Sequence, residues 1–384
     1  MTTVRSTSGP AGRMMQSLRQ PLARTTDFTY LFAVVVLLNL FGLLMVLSAS
    51  SVTSLDQYGS SWYQFERQFI WLSIGCVALF LMSRFDYRRL PKYVPILLAV
   101  SAGLMLLVMV PGLGVSVNGS ARWLGYGMFK IQPSEFVKLA VILYVADLLS
   151  RRSDRIGEWR ESIRPVMVVF GGFAVLLMLQ PNLGTTIILA SIVLVMMFVA
   201  GVPGRPLAIV SGGLVVGATL FAFLEPYRFR RLMAFVDPWS DPLNTGFQTI
   251  QSQVGLANGG LFGTGLGQGR AKWGFLPEAH TDFIFAIIGE ELGLLGAMFV
   301  VVLFLVFALF GVRTVLRTQD RFGMLIATGV TAWILVQAFI NIGAVVGVLP
   351  ITGVPLPFVS AGGSSLIVTM AAYGILLNVA RQEH

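Results

Sequence analysis

Apolar runs about as long as a bilayer is thick recur from near one end of this chain to the other. A helix needs roughly 20 mostly apolar residues to cross the hydrocarbon layer. In lipid every backbone N–H and C=O must be satisfied within the protein, so only helices and closed barrels span it. The runs here are continuous, and the alternation that marks a membrane β-barrel is absent. Charged residues make up 12% of the 384 residues, against about 25% in a soluble domain. The sequence therefore predicts an all-α, polytopic integral membrane protein.

Ten spans are predicted, at about 28–49, 68–83, 93–110, 134–150, 165–181, 184–201, 207–224, 283–311, 323–345 and 364–381. Together they form one membrane domain over residues 28–384. Residues 1–27 hold Arg5, Arg13, Arg19 and Arg24 and no apolar core. They read as a disordered basic tail rather than a cleavable signal peptide. Basic residues collect on the cytoplasmic side of membrane proteins. With the N-terminus inside, 18 of the 27 Lys and Arg residues fall in inner segments, which predicts that both termini are cytoplasmic. The net charge of +9 is then a topology signal and an attraction to membrane lipid. No basic stripe interleaved with stacking aromatics points to nucleic acid. Cys76, the one cysteine, reads as a small packing residue.

The outer loop 225–282, between spans seven and eight, is far longer than the 12–15 residues beyond which a loop usually has a task. Leu243, Phe247, Ile250 and Val254 are spaced by four, three and four. That stripe predicts a short amphipathic helix, either on the outer membrane surface or folded back on the bundle. The loop ends in Pro277-Glu278-Ala279-His280-Thr281-Asp282, at the mouth of the eighth span. Asp282 is the first candidate for chemistry: an ionised carboxylate can take a proton from an attacking sugar hydroxyl. Thr281 or Asp282 could also cap the following helix. Glu278 and His280 are neighbouring candidates.

Glu135 and Lys138, three apart at the start of the fourth span, share a helix face and can pair. Ionisable groups at that depth are expensive, so a site is the default reading, and a structural ion pair the alternative. Glu290 and Glu291 raise the same question. Arg228, Arg230, Arg231, Arg270 and Lys272 offer cations for a phosphate. The glycine-rich run 259–269 reads as a flexible loop or as a nest of amides for a pyrophosphate. It fits neither a dinucleotide fingerprint nor a P-loop, and no organic cofactor is expected. His280 and His384 are the only histidines, too few for a zinc site. Mg²⁺ or Mn²⁺ bridging a carboxylate and a pyrophosphate needs fewer protein ligands. Pro350, Pro355 and Pro357 predict a stiff re-entrant segment on the same outer side.

Five motifs, in order along the chain, resemble those of the SEDS family of bacterial cell-wall proteins. They are Gln132-Pro133-Ser134-Glu135 with Lys138, Gln180-Pro181-Asn182-Leu183-Gly184-Thr185, Pro277 to Asp282 followed by Phe283-Ile284-Phe285-Ala286, Glu290-Glu291-Leu292-Gly293, and Gly362-Gly363-Ser364-Ser365. The likeness is closest to the FtsW division branch, with the RodA elongation branch second. Asn182 stands where the family often has Asp, and Ala361 where it usually has an aromatic residue. The resemblance implies a ten-span fold and a peptidoglycan glycosyltransferase that polymerises lipid II at the outer face of the bacterial cytoplasmic membrane, in septal wall synthesis. It implies Asp282 as the catalytic acid, Glu135 and Lys138 as a supporting charged pair, and a class B penicillin-binding protein and other divisome proteins as partners. Arg228, Arg231, Arg270, Lys272, Glu278, His280 and Ser364 are the candidates for holding the lipid pyrophosphate. A lipid II flippase is the rival reading from a different class, since buried charges and broken helices suit transporters too.

Overall fold

The structure is a computed structural model that describes residues 10–117, 120–127, 129–224 and 226–382. Its helices are α1 (Pro10–Tyr58), α2 (Tyr63–Arg84), α3 (Val94–Val108), α4 (Pro133–Arg151), α5 (Arg164–Leu179), α6 (Leu183–Ala200), α7 (Gly204–Leu224), α8 (Pro226–Val236), α9 (Phe247–Gly259), α10 (Ile284–Arg317), α11 (Arg321–Val346) and α12 (Gly363–Arg381). Among the described residues, nine helical segments are long and apolar enough to cross a membrane. The remaining predicted span is α4. Its 19 residues include Glu135, Lys138, Asp147 and Arg151, which keep its mean hydropathy low, yet it is long enough to span about 28 Å. It packs against α3, α11 and α6, and Glu135 and Lys138 face protein rather than lipid.

Helices α11 and α12 form the centre of the bundle. Their spanning windows are 78% and 83% buried, against 6% for α7. Polar groups on α11 and α12 therefore lie away from lipid, where they can serve a site. At the other end of α10, Asp27 is fully buried, accepts Arg317 at 2.6 Å and forms an ion pair with Arg313 at 3.2 Å. This clamp ties the start of the first span to the end of α10, so both lie at one membrane surface. Of the tail predicted over 1–27, residues 1–9 lie outside the described residues; α1 starts at Pro10, and Asp27 belongs to the folded body.

Two further features depart from the sequence reading. Between α3 and α4 the chain forms a three-stranded antiparallel sheet, β1 (Gly114–Val117), β2 (Ser120–Tyr126) and β3 (Phe129–Ile131), in the order β1-β2-β3. Arg122 of β2 donates to the carbonyls of Gln180 and Pro181, fastening the sheet to the α5–α6 turn. The amphipathic helix is present as α9 and packs on α10 and α11, but of its apolar stripe only Ile250 is buried. Leu243 lies outside the helix and Val254 is exposed, while Thr249, Ile250, Ser252, Gly255 and Gly259 are buried. A Cβ on Gly259 would sit 1.9 Å from the Gly289 carbonyl oxygen. Small residues let backbones approach within a membrane, where lipid gives apolar side chains no reason to turn inward.

Candidate functional site

The loop carrying the acidic candidates is fixed from two directions. Thr281 folds back on Glu278, donating to its backbone carbonyl and, at 2.9 Å, to its carboxylate. Ala361, just before α12, donates its N–H to the His280 carbonyl at 2.9 Å. Asp282 is half-buried. The re-entrant segment 350–362 runs against it, and a Cβ at Gly353 would lie 3.4 Å from Asp282 Oδ2. Gly353 has φ +69°, so a side chain there would also strain the backbone.

The expected cap at the start of α10 is not formed by Asp282 or Thr281. Phe283 is the N-cap residue and gives no side-chain cap bond. The loop reaches α10 through a turn in which Phe283 N–H bonds the Glu278 carbonyl. His280 is half-buried. Burial pushes its imidazole below the usual histidine range, Glu278 acts to raise it and Arg67 to lower it further.

Glu135 and Lys138 form the predicted pair at 2.9 Å, with both side chains almost fully buried. Ser365 Oγ donates to Glu135 at 2.9 Å. Lys138 Nζ donates to Gln337 Oε1 at 3.0 Å and lies 4.5 Å from the centre of the Trp333 ring. Gln337 Nε2 continues to the Pro355 carbonyl at 2.9 Å. The charged pair thus reaches the re-entrant segment through one side chain. Ser365, Gln337, Pro355 and Ser360 line a pocket between α11, α12 and that segment. Ser364, expected to face a pyrophosphate, instead donates a bond to no ligand: its Oγ accepts the Gln132 N–H at 2.9 Å and locks the start of α4. Asn182 caps α6, accepting the Thr185 N–H, a task its amide oxygen performs as well as a carboxylate would.

The glycine-rich run is neither flexible nor turned toward a pyrophosphate. Glu290 accepts the N–H groups of Arg270 and Ala271 at 2.9 and 3.1 Å. Glu291 accepts the Gly267 N–H at 3.0 Å, Ser48 Oγ at 2.5 Å and Lys272 Nζ at 2.9 Å. The amides form a nest, and the anions in it are the protein's own carboxylates. Lys272 is buried in this knot, which corrects the expectation that it faces substrate phosphate. Gly293, at φ +67°, breaks α10 where the loop crosses it, and a Cβ there would lie 2.4 Å from the Gly263 nitrogen. Arg270 and Arg230 are exposed. The side chains of Arg228 and Arg231 lie outside the described residues. Among the described residues no three His, Cys, Asp or Glu side chains cluster as metal ligands. Sequence reasoning missed Gln337 and Asn341; polar residues recurring four apart within an apolar helix are the signal that marks them.

Comparison with known proteins covers nearly the whole chain. The family model for FtsW, RodA and SpoVE, described as "Cell cycle protein", matches residues 28–384. The chain is 43% identical over 348 residues to "Probable peptidoglycan glycosyltransferase FtsW" of Geobacter metallireducens, covering 90% of this chain and 92% of that one. It is 42% identical over 364 residues to "Stage V sporulation protein E" of Bacillus subtilis, covering 93% and 98%. Among solved structures, one from "Structural coordination of polymerization and crosslinking by a peptidoglycan synthase complex" superposes with a TM-score of 0.75 at 28% identity, covering 92% of this chain and 97% of that one. The Rod shape determining protein RodA of Thermus thermophilus superposes with a TM-score of 0.67 at 28% identity, covering 92% and 96%.

Proposed function

The chain belongs to the FtsW/RodA/SpoVE family of cell cycle proteins, and on that premise we propose that it is an FtsW-like peptidoglycan glycosyltransferase that polymerises lipid II in septal wall synthesis. The observation that carries the assignment to a site is Asp282: a half-buried carboxylate at the mouth of α10, beside the re-entrant segment.

The reaction is an inverting glycosyl transfer. The growing strand, linked to undecaprenyl pyrophosphate, is the donor. The 4-hydroxyl of an incoming lipid II attacks the donor's anomeric carbon and the bond to the pyrophosphate breaks. Asp282 takes the hydroxyl proton as the new glycosidic bond forms. Arg270, exposed in this loop, is suited to the phosphate charge, as are the arginine side chains at 228 and 231 by their chemistry. A divalent cation, Mg²⁺ or Mn²⁺, would be held by the pyrophosphate and one or two carboxylates, here Asp282 or Glu278, and would supply charge neutralisation at the leaving group.

The active face is outside the cytoplasmic membrane, with both termini inside, and the protein concentrates at the septum. It works with a class B penicillin-binding protein, whose transpeptidation crosslinks the new strand, and with other divisome proteins. The deciding experiment gives labelled lipid II to purified protein, with and without the transpeptidase. Glycan polymer in either reaction supports the reading. Its absence from both, on folded protein with an active transpeptidase, overturns it.

A further inference from the structure

Helix α11 carries two carboxamides one turn apart, Gln337 and Asn341, only 1% and 2% exposed. Burying an amide is costly unless its donors and acceptors are met. Gln337 Oε1 receives Lys138 Nζ at 3.0 Å and Trp333 Nε1 at 2.8 Å, and its Nε2 donates to the Pro355 carbonyl at 2.9 Å. Asn341 Nδ2 donates to two carbonyls at once, Asp282 O at 2.7 Å and Val354 O at 2.8 Å. Carbonyl oxygens only accept, and indole and ammonium groups only donate. Neither amide can therefore be turned over without setting like groups against each other, so both orientations are fixed.

The consequence is a specific alignment. The two amides grip successive carbonyls of the re-entrant segment, Val354 and Pro355. Asn341 grips Asp282 with the same nitrogen that holds Val354. The residue before Val354 is Gly353, where a Cβ would lie 3.4 Å from Asp282 Oδ2. The place of that carboxylate relative to the segment is thus set by Asn341, and Gln337 links the setting to Lys138. Leucine or methionine would fill the same space without burying amides. Moreover, Asn341 Oδ1 is buried and meets no donor from the chain, a cost that packing alone does not explain.

We infer that Asn341 is a positioning residue for the proton-accepting group Asp282, and that Gln337 supports it by fixing the adjacent carbonyl and coupling it to the Glu135–Lys138 pair. The inference rests on the glycosyltransferase reading for its catalytic consequence, but not for its structural one.

The test uses the full chain in detergent with its transpeptidase. Asn341→Leu keeps the branched four-atom shape, with somewhat bulkier methyl ends, and removes both bonds. A base displaced by about 1 Å can lose about 10²-fold in rate. We expect kcat for lipid II polymerisation to fall by about that factor with KM nearly unchanged, the pattern of an interaction that matters in the transition state. Asn341→Ser, smaller and with one donor left, should fall between, and it serves if the leucine variant does not fold. Hydrogen exchange without substrate gives an independent reading. Peptides covering 278–283 and 350–357 should exchange faster in both variants, while those around Asp27 and Arg313 stay as in the wild type. Gln337→Met should loosen 350–357 more than 278–283. Folded Asn341 variants with wild-type kcat, a loss confined to KM, or unchanged exchange in both peptides overturn the inference. A wild type that makes no polymer sinks the enzymatic reading, and the exchange experiment still decides the positioning one.

Discussion

Lys272 and Glu291 meet at 2.9 Å with both side chains shut away from solvent, 19 residues apart in sequence. Around them the glycine-rich loop closes, because Lys272 also donates to the Gly267 carbonyl and Glu291 also accepts Ser48 of α1. A lysine so placed organises the loop that leads to Asp282; it has no donor direction left for a lipid phosphate.

The pair should therefore behave as a structural unit. Lys272→Met strands a buried carboxylate, which typically costs about 3–5 kcal/mol. Little folded protein should be recovered from membranes. Combining it with Glu291→Gln removes the stranded charge and keeps an acceptor for Ser48 and the Gly267 N–H. The double variant should recover much of the folded yield and measurable polymerisation. A double variant that folds fully yet makes no polymer would return Lys272 to the substrate site.

Asp282→Asn tests the base assignment. Asp282 gives no cap to α10, so the substitution removes proton acceptance without removing a helix cap. Melting temperature in detergent should stay close to the wild type. Polymerisation should fall by about 10²-fold or more. Asp282→Glu should recover little, since a base displaced by about 1 Å can lose about 10²-fold in rate. Near-wild-type polymer formation by folded Asp282→Asn would defeat the assignment and make Glu278 the next acid to replace.

The membrane helices were legible because lipid imposes one requirement on every span, and α4 was legible despite its charges because Glu135 and Lys138 lie three apart, on one face. Their pairing follows from helix geometry alone. What surrounds them does not. Gln337 and Ser365 lie 199 and 230 residues from their partners, and no local pattern encodes such a contact. The glycine run shows the same limit: its composition signals an amide nest, but whether the anion is a substrate or Glu290 depends on where α10 breaks. The sheet was a different case. Val115 and Val117 alternate with polar or small residues before Asn118-Gly119, a pair favoured in hairpin turns, and a short outer segment between two strong spans hid that signal.

The basic residues predict the orientation, and the clamp at Asp27 is consistent with it. Arg313 and Arg317, both counted as inner, bind Asp27 at the start of the first span, so the ends they occupy share one side. Ser240 is exposed in the long loop on the opposite side. In a Cys76→Ala background, Ser240→Cys should react with a membrane-impermeant maleimide in cells whose outer envelope is opened but whose cytoplasmic membrane is intact. Labelling only after that membrane is broken would invert the topology and remove the outer-face reaction.

Exchanging Glu135 and Lys138 separates charge pairing from placement. In a symmetrical ion pair the swap would restore the interaction. Here the surroundings are polarised: Trp333 presents its ring 4.5 Å from Lys138 Nζ, and Gln337 offers its oxygen, both suited to a cation. Ser365 offers a proton to Glu135. A carboxylate at position 138 would face the negative surface of the ring and an acceptor oxygen. An ammonium at 135 would face a hydroxyl that can turn to accept it, so the damage falls on the side of α11. The swapped protein should be less stable than the wild type and should polymerise little lipid II, even where expression recovers relative to either single alanine variant. Adding Gln337→Arg should not rescue it, because a guanidinium cannot accept the Trp333 N–H. Measured by thermal melting and polymer yield on the same preparations, a swap that equals the wild type in both would show that only the pairing matters, and that the path from Lys138 through Gln337 to Pro355 carries no consequence for the site.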